Sequence, residues 1–260
     1  MDLSKYLQEA MGSHVVFTIP FPFKTDGILK DGIPIYDSII TMWIVMAVLI
    51  ILALIFTRNL KKIPEGKQNA AEILVNFINS FTKDNLGHHW KHFAPYLGTV
   101  LLFLVISNII SIFSIIPSFE QLAKLTHLEF FENLKQFSYE IKPPTKDINV
   151  TVCMALMSII LVIGSGIRFK GMKGWLKSFV KPIPIMLPFN ILDYFIRPLS
   201  LSLRLFGNIL GAFIIMELIY IAAGAVIPAA FSIYFDLFDG ALQAYIFVFL
   251  TSIYIAEAIE

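Results

Sequence analysis

The segment LSLRLFGNILGAF, residues 201–213, sets Arg204 and Asn208 one helical turn apart in a run otherwise suited to lipid. Arginine keeps its proton in proteins because its pKa lies above about 12. It cannot pass a proton along a relay; it presents a fixed positive charge. At the centre of a membrane helix that charge costs about 2.5–3.5 kcal/mol on insertion scales, so something must compensate for it. Gly207 and Gly211 form a GxxxG spacing, which lets another helix approach the backbone closely. Taken alone, the glycine pair also fits ordinary internal packing. In a helix, however, Arg204, Gly207, Asn208 and Gly211 share one face, and a cation among small residues is presented to something that must come near.

A second segment, FDLFDGALQAYIF, spans residues 235–247. Asp236, Gly240 and Gln243 share a helix face at spacings of four and three, and Asp239 stands one turn before Gln243. The glutamine amide offers two donors and an acceptor, enough to hold a water chain or steady a guanidinium. Intramembrane carboxylates mark ion or proton pathways or pair with a cation, whereas at the membrane surface they are simply solvated. The sequence leaves both readings open for Asp236 and Asp239. Asp193, about three turns before Arg204, is placed to line an entrance, and for it and Glu217 solvation or structural pairing carries equal weight.

Soluble catalysis has little support. There is no GxxxxGK[ST] phosphate loop, no HExxH and no dinucleotide fingerprint. The cluster HHWKH, with His88, His89 and His92, offers metal ligands, but beside Trp90 at the mouth of an apolar run it fits an interfacial anchor better. Cys153 is the single cysteine, which excludes an internal disulfide and gives no ligand spacing. A net charge of +1 gives no global basic excess that would argue for nucleic acid.

The elements that must position these residues belong in a bilayer. Of 260 residues 57% are hydrophobic and 15% charged, against roughly one quarter charged in a soluble globular chain. A spanning helix needs about 20 mostly apolar residues, and the windows 38–57, 93–119 and 148–167 each supply that without a formal charge. Arg58, Lys61 and Lys62 follow the first window, and Arg168, Lys170, Lys173, Lys177 and Lys181 follow the third. Basic flanks are retained on the cytoplasmic side, so the segment 1–37 is expected outside, as is the loop 120–147. That N-terminal segment lacks a basic stretch followed by an apolar core, so no cleaved signal peptide is expected. Between the first two spans, residues 64–87 open with Pro64 and close with Gly87, carrying Ala70, Leu74, Phe77, Ile78 and Phe81 at helical spacing. This predicts an amphipathic surface helix on the cytoplasmic side, lying on lipid, a partner or its own protein's cytoplasmic end.

Residues 168–260 are apolar but punctuated by prolines and charges, with room for one long helix before Pro228 and another after it. Overlong helices fit a bilayer by tilting. The expected fold is an all-α membrane protein of about five membrane-inserted helices plus the surface helix, its last two helices forming a tilted hairpin.

RPLSLSLRLFGN, residues 197–208, together with LQAYIFVFLTSIYIAEA near the C-terminus, closely resembles the a subunit of the F-type ATP synthase, the stator half of its membrane ion channel. The resemblance covers the whole plan of the chain. It implies that Arg204 faces the ion-binding carboxylate of a rotating ring of c subunits, with Gly207 and Gly211 packing against that ring. It implies that Asn208 and Gln243 lie near the arginine and that Asp193 belongs to the inner half-channel. Asp236 falls where relatives carry a histidine or glutamate in the outer half-channel, and Phe213 where some carry a titratable partner for that group. Peripheral-stalk b subunits are implied as further partners, H⁺ or Na⁺ as the ion carried, the bacterial plasma membrane as the location with a cytoplasmic C-terminus, and no cofactor or nucleotide chemistry. A secondary transporter is the alternative, since broken helices and midplane charges suit it equally; it predicts an internal repeat, and none is found.

Overall fold

The computed structural model describes residues 15–19, 33–58, 60–110, 143–180, 183–223, 231 and 233–260. Its helices are α1 (Asp37–Thr57), α2 (Lys67–Leu86), α3 (Trp90–Ile109), α4 (Ile148–Ser178), α5 (Leu187–Ala223) and α6 (Gly240–Ile259), with a π-helical stretch, Ile233–Asp239, leading into α6. Four stretches among the described residues are long and apolar enough to cross a membrane: α1, the continuous run Lys67–Ile109, α4, and Leu237–Ile259. The all-helical membrane architecture expected from the sequence is therefore present. One addition is a two-stranded antiparallel ribbon of β1 (Val15–Ile19) and β2 (Ile33–Tyr36), pairing Val15 with Tyr36 and Ile19 with Ile33. Residues 111–142, which hold the end of the expected second span and most of the expected external loop, lie outside the described residues.

Helix ends follow local chemistry. Gly66 and Gly87 bracket α2 at φ of 56° and 53°, a left-handed region open to glycine at little steric cost. Asp147 caps α4 by accepting a 2.9 Å hydrogen bond from the Asn149 N–H, and its other oxygen accepts from the Ser38 hydroxyl at 2.7 Å, tying α4 to the start of α1. Near its far end α4 breaks at Gly171, φ 72°, and the turn brings Trp175 back over Gly166. The helical path thus continues past 167, where the apolar window ends. Several buried hydroxyls are satisfied by their own helices, as where Thr82 donates to the Ile78 carbonyl at 2.7 Å and Thr251 to that of Phe247 at 2.9 Å, the economy expected where water is absent.

Helix α6 is the centre of the packing, in contact with α2, α3, α4 and α5. Its Ala244, Phe247, Val248 and Ile255 meet Leu97, Leu101 and Leu104 of α3, Ala155 and Val162 of α4, and Leu201 and Leu205 of α5 in one core cluster. By contrast α1 is buried only at Asp37, Ser38, Thr41 and Val45, leaving most of its apolar surface for lipid. Helix α5 has 37 residues, about 55 Å at 1.5 Å per residue, and must tilt or overrun a hydrocarbon core of about 30 Å.

Candidate functional site

The site grows from one rule of helix geometry: of the residues around Arg204, Leu201, Ser202 and Leu205 point into the protein and are buried. With those three holding α5 to the core, Arg204 and Gly207 are left on the exposed side, and Gly211 follows one turn on, half-buried. A Cβ added at Gly207 or Gly211 would meet no atom within 4 Å, so neither glycine is required by a close contact inside the subunit. Leu199, Leu203, Ile215 and Leu218 are exposed along the same helix. Among the described residues Arg204 makes no ion pair; the salt bridges there join Lys61 to Glu65, and Arg197 to Asp193 and Glu257. A permanent cation thus stands on an uncovered, largely apolar helix face.

Asn208 is half-buried beside it on α5. Gln243 lies on α6, 5% exposed, and its Nε2 has no hydrogen-bond partner among the described residues. A buried amide left this way costs about 1–3 kcal/mol unless something supplies an acceptor. Asp239, half-buried, precedes α6 without capping it through its side chain. Asp236 belongs to the π-helical stretch, a form found mostly as single-turn insertions at functional sites; the side chains of Asp236, Phe213 and Glu217 lie outside those described.

The turn that carries Gln243 is fixed from below. Asn108 of α3 donates to the Gly240 carbonyl at 2.8 Å and accepts from Thr145 at 3.2 Å. A Cβ at Gly240 would fall 2.8 Å from that of Asn108, so glycine is required for this approach of α6 to α3.

The structure sets Asp193 with a different arginine from the one the sequence drew attention to. Its Oδ2 accepts from Nε of Arg197 at 2.9 Å, and Arg197 Nη2 reaches Glu257 Oε1 of α6 at 2.7 Å. Arg197, Glu257 and Asn108 were not singled out by sequence reasoning. The Asp193–Arg197 pair has a readable signal in its i, i+4 spacing; the other contacts join residues 60 and 132 positions apart. Of the histidine cluster, His89 and His92 pack on Phe169 of α4, ring centroids 4.5 and 6.1 Å away.

Comparison with known proteins bears directly on this arrangement. A family model described as ATP synthase A chain matches residues 39–256. ATP synthase subunit a, sodium ion specific, of Propionigenium modestum is 35% identical over 259 residues, covering 95% of this chain and 85% of its own. A match that runs from the third residue of α1 to within a few residues of the end of α6 takes in every helix described, and on that extent the chain belongs to the ATP synthase A chain family.

Proposed function

We propose that Arg204 is the fixed cation that meets the ring carboxylates in this subunit, which as a family member is the non-catalytic, ion-translocating stator of the ATP synthase membrane sector. The observation that carries this reading is the exposure of Arg204 on the uncovered face of α5, with Gly207 and Gly211 leaving room for a neighbouring helix. The partner fitting that face is the ring of c subunits, with b subunits of the peripheral stalk completing the stator.

The family resemblance implies two half-channels opening to opposite faces. An ion entering from outside passes Asp236, Asp239, Asn208 and Gln243 and neutralises a ring carboxylate, which can then turn through lipid. When a site returns, Arg204 favours its ionised form, because a nearby opposite charge stabilises a carboxylate, and the ion leaves past Asp193. Since Arg204 cannot deprotonate, it also repels any cation leaking between the half-channels. Each charge crossing 100 mV supplies about 2.3 kcal/mol, so a turn draws on many ions. The Gln243 Nε2, without a hydrogen-bond partner among the described residues, supports a polar, watered lining on α6. The lysine and arginine flanks of α1 and α4 support a reading with the N-terminus outside and the C-terminus in the cytoplasm, in a plasma membrane.

The test is ATP-driven ion uptake by proteoliposomes carrying the whole complex. Arg204→Ala is expected to abolish uptake with assembly retained; normal uptake would refute the assignment. The relative's name makes sodium the first ion to try. Uptake of Na⁺ that persists with a protonophore identifies Na⁺ as the ion, and protonophore-sensitive acidification without Na⁺ entry identifies H⁺.

A further inference from the structure

Arg197 stands two helical turns before Arg204 on α5, about 10 Å along the axis, yet its surroundings are opposite. Arg204 is exposed, whereas Arg197 is 8% exposed and paired through two of its guanidinium nitrogens. Its Nε and Nη2 both donate to Asp193 Oδ2, and Nη2 also donates to Glu257 Oε1 near the end of α6. Its guanidinium lies over the Tyr254 ring at 4.9 Å and the Tyr194 ring at 5.6 Å. The Glu257 backbone carbonyl in turn accepts from Lys170 Nζ of α4 at 3.4 Å. Groups of α5 and α6 therefore converge on one buried cation, whose planar fork can serve two carboxylates beside two rings, while α4 touches only the Glu257 backbone.

The position has a mechanical consequence. Pro198 follows immediately; it removes the N–H that would bond the Tyr194 carbonyl and crowds that turn, a usual origin of kinks. The Asp193–Arg197 pair spans the weakened turn from 193 to 197, and the Glu257 contact fastens it to α6. We propose that Arg197 is a positioning residue: its bridge from Asp193 to Glu257 locks the proline-weakened turn of α5 onto α6 and so fixes where Arg204 stands on the ring-facing side. This rests on the assignment of Arg204 above. Displacements of about 1 Å at a working site cost up to about a hundredfold in rate, and a hinge two turns away converts a small rotation into such a displacement.

The test uses the whole complex, free of other cysteines and with Cys153→Ser, spin-labelled at Leu199→Cys on α5 and Ile253→Cys on α6, both exposed positions. The α5–α6 distance distribution and ATP-driven ion uptake per assembled complex are measured for Arg197→Gln and Arg197→Lys. Arg197→Gln is expected to broaden or shift the distribution and to lower uptake about tenfold or more. Arg197→Lys, which keeps the charge and reaches one carboxylate at a time, is expected to recover part of both. An unchanged distribution in Arg197→Gln overturns the proposal, as does a changed distribution with wild-type uptake, or lost assembly with wild-type uptake in the complexes that remain. Failure of the underlying assignment shows separately, as wild-type uptake in Arg204→Ala with the α5–α6 distances unaltered.

Discussion

Replacing Gly240 with alanine sets a Cβ 2.8 Å from the Asn108 Cβ and 3.2 Å from its Cγ and Nδ2. Carbon atoms rest about 3.5–4.0 Å apart, so the contact is short by roughly 0.7 Å or more. Asn108 is poorly placed to yield, because it holds the Gly240 carbonyl at 2.8 Å and the Thr145 hydroxyl at 3.2 Å. Overpacking of this kind costs about 1–3 kcal/mol, and a buried amide driven off its partner adds about 1–3 kcal/mol. Alanine regains about 0.5–1 kcal/mol of helix preference, leaving a net loss of about 1–5 kcal/mol. Gly207→Ala adds the same methyl group where nothing lies within 4 Å, so the chain itself loses nothing and the cost falls on whatever approaches α5. The assay compares the amount of assembled subunit in membranes, its thermal midpoint in detergent-solubilised complex, and ATP-driven ion uptake. Gly240→Ala is expected to lower the first two. Gly207→Ala is expected to assemble normally and pump slowly. A wild-type midpoint for Gly240→Ala would refute the tight α3–α6 crossing, and wild-type uptake for Gly207→Ala would refute the assignment of the ring-facing side.

Gln243→Leu removes an amide whose nitrogen has no described partner, so stability is expected to change by less than about 1 kcal/mol while ion uptake slows, though less than in Arg204→Ala; side-by-side rates in proteoliposomes decide it, and a slower Gln243→Leu contradicts it. In a double-mutant cycle on thermal midpoints, Arg197→Gln and Glu257→Gln are expected to couple by about 0.5–3 kcal/mol. Asn108→Ala and Glu257→Gln act at contacts about 25 Å apart along α6 and are expected to add within about 0.5 kcal/mol.

What the sequence made legible follows from how far each signal reaches. A charge-free apolar run such as 38–57 is its own evidence, because a bilayer tests length and composition within one segment. The shared face of Arg204, Gly207 and Gly211 was equally local, a matter of helical period, and the exposure of that face agrees with it. The contacts that fix the hairpin were out of reach. Asn108 sat unremarked in an apolar window, since nothing in the spacing of 108, 145 and 240 announces that an amide will bridge them. For Asp193 the sequence leaves an entrance role and structural pairing equally open, because Glu257, which completes its cluster through Arg197, lies in another helix. The ribbon of Val15–Ile19 with Ile33–Tyr36 escaped for a related reason: runs of five and four residues have no amphipathic period to count, and their pairing is a tertiary event.

A stator must resist the torque that its own ion flow generates, and the distribution of polar contacts on α6 meets that need. Between its ends the helix is held by apolar packing, with Ala244, Phe247 and Ile255 fully buried. Such contacts are non-directional and do little to fix rotation or sliding. Hydrogen bonds and ion pairs do fix register, and among the described residues those joining α6 to other helices fall at its two extremities: Asn108 on the Gly240 carbonyl at the start, Arg197 and Lys170 on Glu257 at the finish. The Asn108 bond is buried and so the costlier to break, while the Glu257 contacts, with that carboxylate 60% exposed, are the weaker fastening. Gln243 lies one turn inside the first fastening, and Arg204 lies two turns along α5 from the second. Gln243 and Arg204 thus each lie within two turns of a directional contact, while the open face of α5 around Arg204 carries none among the described residues. On the assignment proposed above, that division leaves the ring free to slide past a helix pair that is itself held in register.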